Sequence, residues 1–568
     1  MQQEIDLRNT AEEFLRILAS RGVEFFLVNS GTDFPSMVEA LARARVEGFA
    51  IPKTLLVPHE NVAVGMAYGV TLVTGQPQAI MVHVNVGTAN ALCGLINASR
   101  ENIPMLMAAG RTPWFEQGSN ASRSLNIHWA QDMFDQAGMV REHVKWDHEL
   151  RSGAQLESVV DRALAIARTE PQGPVYLSLP REVLAQESMP SQPHTTQSAA
   201  PPAVPDHASI AQVARDLVRA RNPLIITSRA GKQPQAVAQL AALSRTWALP
   251  VVEFRPRYLS LPNTHEMHGG YEVNPWLDEA DFILVLDCDV PWIPQQKVPS
   301  PLARVVHVGS DPLFARYPIR GFRADQTIAA SPLRFLESLA AELATQQPDI
   351  GGMTLRRNRV AQAAQQRLQA LQQQVLAGQS ASTMSMAAVS AAVGDALSRF
   401  GDDAVVVNEY SLTPAALRLT QPGSYFGSSP VGGLGWGVPA ALGVKLARPT
   451  SLVVATVGDG SYTFANPLAC HHAAAMHGVP ILTIVMNNAG YGAVDRATRA
   501  MYPQGQAVSQ GMSLVSLEPM PRYEDVVSAC GGWGARVEKF SDLSKVLEQA
   551  IHEVQVNGRQ ALVNVICA

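Results

Sequence analysis

Gly458-Asp459-Gly460-Ser461 closes an apolar run, and 27 residues separate Asp459 from a second polar cluster, Asn487-Asn488-Ala489-Gly490. Glycines let backbone N–H groups approach phosphate oxygens, and a helix that follows offers the positive end of its dipole to the anion. Carboxylate, amide and phosphate oxygens together suit Mg2+, which prefers hard oxygen ligands. The pattern between the two clusters predicts a strand, a tight turn, a helix and a second strand. An aspartate capping an ordinary helix, followed by a turn at Asn-Asn, would leave a similar trace.

Two further segments carry polar groups where chemistry could use them. Pro58-His59-Glu60-Asn61 follows a short strand and precedes VAVGMAYGV, which reads as an apolar helix. A carboxyl buried among apolar residues has its charged form disfavoured and can share a proton with a ring nitrogen. The plainer reading is a glutamate set against a helix dipole. Val431-Gly432-Gly433-Leu434-Gly435-Trp436-Gly437 is a glycine run that a ligand or a neighbouring helix can approach closely.

The elements that must position these residues are short runs of Val, Ile and Leu alternating with helical patterns. FFLVNSG, AIMVHVN and PMLMAAG occur in a first block, PLIITS, DFILVLD and RVVHVG in a second, and AVVVNE, SLVVATVGDG and PILTIVMNN in a third. Unbroken apolar strands separated by helices imply α/β domains with parallel sheets covered on both faces. Ligands bind such sheets at the carboxyl ends of the strands, where Asn29-Ser30-Gly31-Thr32, the Gly-Asp-Gly cluster and Asn487-Asn488 fall. A Pro/Ser/Ala-rich stretch over about 186–209 and a polar helix with a Gly/Ser break within 345–385 separate the blocks. The expected architecture is three doubly wound parallel-sheet domains, 1–187, 205–345 and 380–568.

At 568 residues the chain is too long for one hydrophobic core. With 47% hydrophobic and 16% charged residues and a formal net charge of -5, no basic face calls for nucleic acid. The opening MQQEIDLRNTAEEFLRILASRG lacks the charge pattern of a secretory signal, and no apolar run is long enough to span a membrane. Five scattered cysteines with no C-x-x-C pair are expected to be free thiols in a reducing cytoplasm.

Together these motifs resemble the thiamine-diphosphate enzymes, and the resemblance covers nearly the whole chain as pyrimidine-binding, middle and diphosphate-binding domains. It implies Mg2+ held by the side chains of Asp459 and Asn488 and the Gly490 carbonyl, with Gly458, Gly460, Ser461 and Ser411 around the cofactor. Glu60 would bond the cofactor's aminopyrimidine ring and promote loss of the thiazolium C2 proton. Leu434 would prop the bent cofactor, and the Gly432 carbonyl would accept from its amino group. In that family the glutamate and the Gly-Asp-Gly element meet across a subunit boundary, so a homodimer is the minimum expectation and a homotetramer the fuller one.

Within the family the chain looks most like benzoylformate decarboxylase, through Asn29 to Thr32, Val82 to Asn90, Asn408-Glu409-Tyr410-Ser411 and Pro422-Gly423-Ser424-Tyr425. The implied reaction is decarboxylation of a 2-oxo acid through a C2 ylid and an enamine, with Thr32 and His83 handling the substrate carboxylate and protons. A second histidine of that enzyme, in the middle domain, has no counterpart in Leu286 to Pro294. An acetolactate-synthase-like carboligase is the rival, although Asn126-Ile127-His128-Trp129-Ala130-Gln131 replaces its glutamine-rich substrate loop. A 2-hydroxyacyl-CoA lyase is a third reading and an idle cofactor-binding paralogue the non-enzyme one, against which the joint presence of Glu60, Asp459 and Asn488 argues. No dinucleotide fingerprint marks the middle block, and FAD is not expected.

Overall fold

The computed structural model of the protein describes residues 8–188, 196–381 and 383–568. Three six-stranded sheets follow one another along the chain. In the first the strands lie in the order Lys53–Leu56, Phe25–Val28, Gln78–Val82, Met105–Arg111, Pro174–Pro180, Asp147–Glu149. The third repeats this order with Tyr425–Gly427, Ala404–Glu409, Leu452–Gly458, Leu482–Asn487, Ala561–Ile566 and Trp533–Val537. Numbered within its own domain, the middle sheet runs 3-2-1-4-5-6, with Pro223–Thr227 and Phe282–Leu286 at its centre. Neighbouring strands pair in parallel, and the central ones are buried along their length. Burial on both faces is why they read as unbroken apolar runs rather than alternating ones.

This topology fixes where a ligand can sit. In the first sheet the strand order reverses between Phe25–Val28 and Gln78–Val82, and in the third between Ala404–Glu409 and Leu452–Gly458. At such a reversal the loops leave in opposite directions and open a crevice at the carboxyl ends of the strands. The segments that enter these crevices are Asn29 to Asp33 with His83, and Glu409 to Ser411 with Gly458 to Ser461.

The first and third domains are joined by two helices that are apolar all round, Glu60–Thr74 and Gly437–Ala447. Such helices have no face suited to water and must be enclosed. They touch backbone to backbone: a Cβ on Gly69 would stand 1.9 Å from the Ala440 carbonyl oxygen, and one on Gly443 1.9 Å from that of Met66. A single apolar cluster therefore runs from Phe25 and Val82 through Tyr68 and Trp436 to Val457 and Leu562. Gly69→Val should destabilise the protein by about 3 kcal/mol or more, because backbone cannot move aside as a side chain can. Chemical denaturation measures this, and an unchanged midpoint would mean that the two helices part without cost.

Of the connection expected over 186–209, residues 189–195 lie outside the described residues, and 196–206 carry no regular element before the helix His207–Arg219. The polar helix expected within 345–385 is the 31-residue Ile350–Ser380. It is held to the middle domain by Arg356, which donates to the carbonyls of Trp247 and Ala248. All five cysteines are free. Among the described residues no helix is long and apolar enough to cross a membrane.

Candidate active site

At the carboxyl edge of the first sheet, Asp33 reaches across the crevice to the residue after the third strand. Its Oδ1 lies 2.5 Å from His83 Nδ1, and its Oδ2 accepts from the Val84 N–H at 3.4 Å. Missing side chains make room for this pair. A Cβ on Gly31 would overlap the His83 ring at 2.2 Å, and one on Gly110 would meet Asp33 Oδ2 at 1.6 Å. Val84 itself is held at φ 34°, a region that β-branched residues avoid and that marks strain concentrated at sites. Donating a hydrogen bond to Asp33 raises the His83 pKa, with the charges of Asp33 and Glu60 adding support against burial, which lowers it.

The opposite wall comes from the segment after the fourth strand. His128 is buried, and its Nδ1 accepts from the Ser124 N–H at 3.1 Å while its Nε2 faces Thr32 Oγ1 at 3.5 Å. Gln131 Nε2 lies 3.3 Å from His83 Nε2. Burial lowers the His128 pKa, helped by the charges of Arg181 and Arg123. Thr32, His83 and Glu60 are thus brought together, joined by Asp33, His128 and Gln131.

Glu60 opens the helix Glu60–Thr74, but it does not cap it. That part falls to His59, whose Nδ1 accepts from the Asn61 N–H at 3.1 Å. Glu60 is 8% exposed, and its Oε2 accepts from Asn90 Nδ2 at 3.1 Å. Gly87 lies beside Oε1, where a Cβ would come within 3.3 Å. Oε1 takes no hydrogen bond among the described residues and is free to meet a ligand.

In the third domain Asp459 follows the strand Leu452–Gly458 and opens the helix Asp459–Phe464. Its Oδ1 accepts from the Gly460 N–H at 2.8 Å and its Oδ2 from the Gly490 N–H at 3.0 Å. The Asn488 amide presents one edge to two oxygens, 3.3 Å from Asp459 Oδ1 and 2.8 Å from the Gly490 carbonyl. With its nitrogen on that edge the amide donates to both. With its oxygen there, three oxygens converge at separations near the ~3.0 Å between adjacent ligands of an octahedral ion bound at 2.0–2.1 Å. One amide rotation thus converts a hydrogen-bonded turn into half a coordination shell. Burial raises the Asp459 pKa against the pull of these N–H groups, so its carboxylate gains from a cation. Among the described residues no three His, Cys, Asp or Glu side chains form a metal cluster. One carboxylate among neutral oxygens matches a hard cation shared with a ligand's phosphates. Nothing lies within 4 Å of a Cβ built on Gly458, which leaves the turn open to such a ligand.

A relay behind the Asn-Asn turn holds it. Asn487 Oδ1 accepts from the Ala489 N–H at 3.0 Å, Asn487 Nδ2 donates to Asn564 at 3.1 Å, and Asn564 donates to Glu524 at 2.9 Å. Ala489 sits at φ 56°. The glycine run is pinned from two sides: buried Glu409 accepts from the N–H groups of Gly435 at 2.7 Å and Gly437 at 2.6 Å, and Asn97 donates to the Gly433 carbonyl at 2.8 Å. Burial pushes the Glu409 pKa up to about 7 despite the backbone donors and a bond from Ser461. The Ser411 hydroxyl is turned to Asn408 Oδ1 at 3.2 Å. Gly432 is exposed and Leu434 half-buried beside this loop.

Glu60 and the glycine run are anchored on one helix at different heights. Glu60 meets the helix Val84–Arg100 at Asn90, whereas the glycine run meets it at Asn97, two turns or about 10 Å further along. The crevice of the middle sheet is crossed by ion pairs, Arg229 to Asp287 at 2.7 Å and Arg257 to Asp289 at 2.8 Å, with Arg257 also 2.9 Å from Glu101 of the first domain.

The chain matches three descriptions along its length: thiamine pyrophosphate enzyme, N-terminal TPP binding domain over residues 8–139, central domain over 210–339, and C-terminal TPP binding domain over 409–565. It is 28% identical to benzoylformate decarboxylase of Pseudomonas aeruginosa, covering 77% of this chain and 79% of that one. With acetolactate synthase isozyme 3 large subunit of Escherichia coli the identity is 26%, over 90% of this chain and 87% of that one. The fold is shared with the solved thiamine diphosphate-dependent 4-hydroxybenzoylformate decarboxylase of Rhodococcus jostii RHA1, with a TM-score of 0.77, 21% identity and coverage of 98% of this chain and 99% of that one.

Proposed function

The chain belongs to the thiamine pyrophosphate enzyme family, and on that premise we propose that it is a Mg2+-dependent decarboxylase of 2-oxo acids. Thiamine diphosphate, when bound, supplies a carbon nucleophile and electron sink for cleaving a carbon–carbon bond next to a carbonyl. Asp459, the Asn488 amide oxygen and the Gly490 carbonyl would hold the metal, with Gly458, Gly460 and Ser461 beside the diphosphate. Gly432 and Leu434 would line the ring-binding loop that Glu409 shapes, with Ser411 next to it. Glu60 would hold a proton against a ring nitrogen through Oε1, the oxygen that Asn90 leaves free. The roughly 10 Å between the glycine run and Glu60's anchor within one chain favours a site completed by a second copy, hence a homodimer or homotetramer. We place the domain limits at 1–187, 205–345 and 380–568.

The observation that carries the decarboxylase reading is the Asp33–His83 pair at 2.5 Å, set beside Glu60 and Thr32. Loss of CO2 leaves a carbon that must take up a proton before an aldehyde departs, and a histidine holding its proton at neutral pH can deliver it. The bond to Asp33 favours the charged ring, so the acid form persists above the ordinary pKa of about 6.5 and is lost as pH rises further. Carboligation is the second reading, supported by the long match to acetolactate synthase.

His83→Ala should slow aldehyde release from a 2-oxo acid by roughly a hundredfold, within the range of general acid catalysis, and divert more product to carboligation. Cofactor affinity should change little. Both products are quantified from one substrate, across a panel of 2-oxo acids with and without an aldehyde acceptor. Equal small losses in the two would return His83 to a structural part and favour the carboligase.

A further inference from the structure

We propose that His128 is a second substrate-binding imidazole of this site, donating its Nε2–H to the carboxylate of the 2-oxo acid, with Arg181 as the cation behind it. The substrate class rests on the decarboxylase reading above; the position and protonation of the donor do not. The Ser124 N–H occupies Nδ1 at 3.1 Å, so that nitrogen is the acceptor and the neutral ring must carry its proton on Nε2. Thr32 Oγ1 lies 3.5 Å from Nε2, at the limit of a hydrogen bond, so a carboxylate oxygen set beside the two groups can take the Nε2–H in its place. Arg181 follows the strand Pro174–Pro180, whose end pairs with Arg111 at the same carboxyl edge as Asp33 and His83. Its Nε is buried without a partner, and the side chain forms no ion pair among the described residues. A cation so placed favours an anion.

The two histidines face different surroundings. His83 meets Asp33 and Gln131, with Glu60 near, and is biased toward the charged ring. His128 meets the Ser124 N–H and Thr32, and is biased toward the neutral ring by burial and by the charges of Arg181, Arg123 and His83, with Asp33 acting weakly the other way. Environments that push two titratable groups apart divide proton transfer from binding. His83 delivers the proton, and His128 keeps its own and holds the substrate. The donor that the middle domain lacks between Leu286 and Pro294 is thereby supplied from the first domain.

The test uses the holoenzyme in three forms: wild type, His128→Phe, which removes the donor, and His128→Gln, which retains an N–H. His128→Phe should raise KM for a turned-over 2-oxo acid at least about tenfold with a smaller change in kcat, as loss of a hydrogen bond to a charged group predicts. His128→Gln should recover part of that loss, and Arg181→Met should reproduce it. In wild-type protein labelled with 15N-histidine, the resonance missing from His128→Phe should report a neutral Nε2–H ring through the pH range in which His83 titrates. Unchanged KM in His128→Phe, or an Nδ1–H or charged ring at His128, overturns the proposal. If no 2-oxo acid is turned over, the decarboxylase reading falls separately. Titration with pyruvate and benzoylformate then decides for His128: a shift of its resonance that Arg181→Met abolishes supports carboxylate binding, and no shift overturns it.

Discussion

Asp459→Ala should weaken Mg2+-dependent binding of thiamine diphosphate by more than ~100-fold, beyond what loss of an outer-shell partner costs a metal site. Its Oδ1 and the Gly490 carbonyl are the two oxygens that face the Asn488 amide edge, and Oδ1 is the charged one. Removing it leaves an amide and a carbonyl, neutral groups that cannot strip water from so strongly hydrated an ion. The same change releases the Gly460 and Gly490 N–H groups from their acceptor, so the turn that presents the Gly490 carbonyl loses its anchor. Metal and diphosphate affinity should therefore fall together, as isothermal titration of one ligand at several fixed levels of the other reads directly. Asp459→Asn, which restores an oxygen without charge, should lie between. Binding restored by ordinary Mg2+ concentrations in Asp459→Ala would remove Asp459 from the metal site.

What could be read from the sequence was whatever is encoded within one strand-turn-helix unit. Asp459, Asn488 and Gly490 stand at the ends of adjacent parallel strands, and their spacing is set by the short connection between them, so a local motif carries the geometry; the one helix expected there is two, Asp459–Phe464 and Pro467–His477. The strands were legible for a related reason: buried on both faces, each is a short unbroken apolar run. The missing parts are partners supplied from elsewhere in the chain. Asp33 is 50 residues from His83, and Thr32 is 96 from His128, distances that only the strand order closes. Asn126 to Gln131 reads as loop in the sequence because it forms a single helical turn, Ile127–Ala130, with almost no periodicity to detect. Glu409 was visible as part of a polar strand end. Its hold on Gly435 and Gly437 was not, since it depends on the return of the glycine run 26 and 28 residues later.

Strain gives a signal that would have located the crevices without any motif. Val84, Asp287, Tyr410 and Ala489 all adopt positive φ, and each follows closely on the carboxyl end of a central strand. A non-glycine residue in that region persists only where its surroundings over-determine it. Here those surroundings are the Asp33 carboxylate at the Val84 N–H and the Asn487 side chain at the Ala489 N–H. The backbone at these turns is therefore set by polar side chains that stand behind it, Asp33 bonded to His83 and Asn487 to Asn564.

Glu60→Gln should cost roughly a hundredfold or more in turnover while cofactor affinity stays within a few-fold, and the Asn90 hydrogen bond explains why so small a change matters. Asn90 Nδ2 is a donor fixed 3.1 Å from Oε2, so a glutamine must place its amide oxygen there and its NH2 where Oε1 now stands. The atom aimed at the ligand changes from an acceptor that can take a proton into a donor that cannot release one. Shape is kept, and Gly87 still leaves room beside the group, so packing offers no alternative cause for a loss. Affinity should survive because, on the proposed reading, the groups that would hold the diphosphate and metal are those of the third domain, which this change leaves in place. Exchange of the cofactor's C2 proton in deuterated water isolates the effect from substrate binding and product release. A Glu60→Gln protein that exchanges this proton at the wild-type rate would show that Glu60 has no part in proton transfer, whatever its turnover.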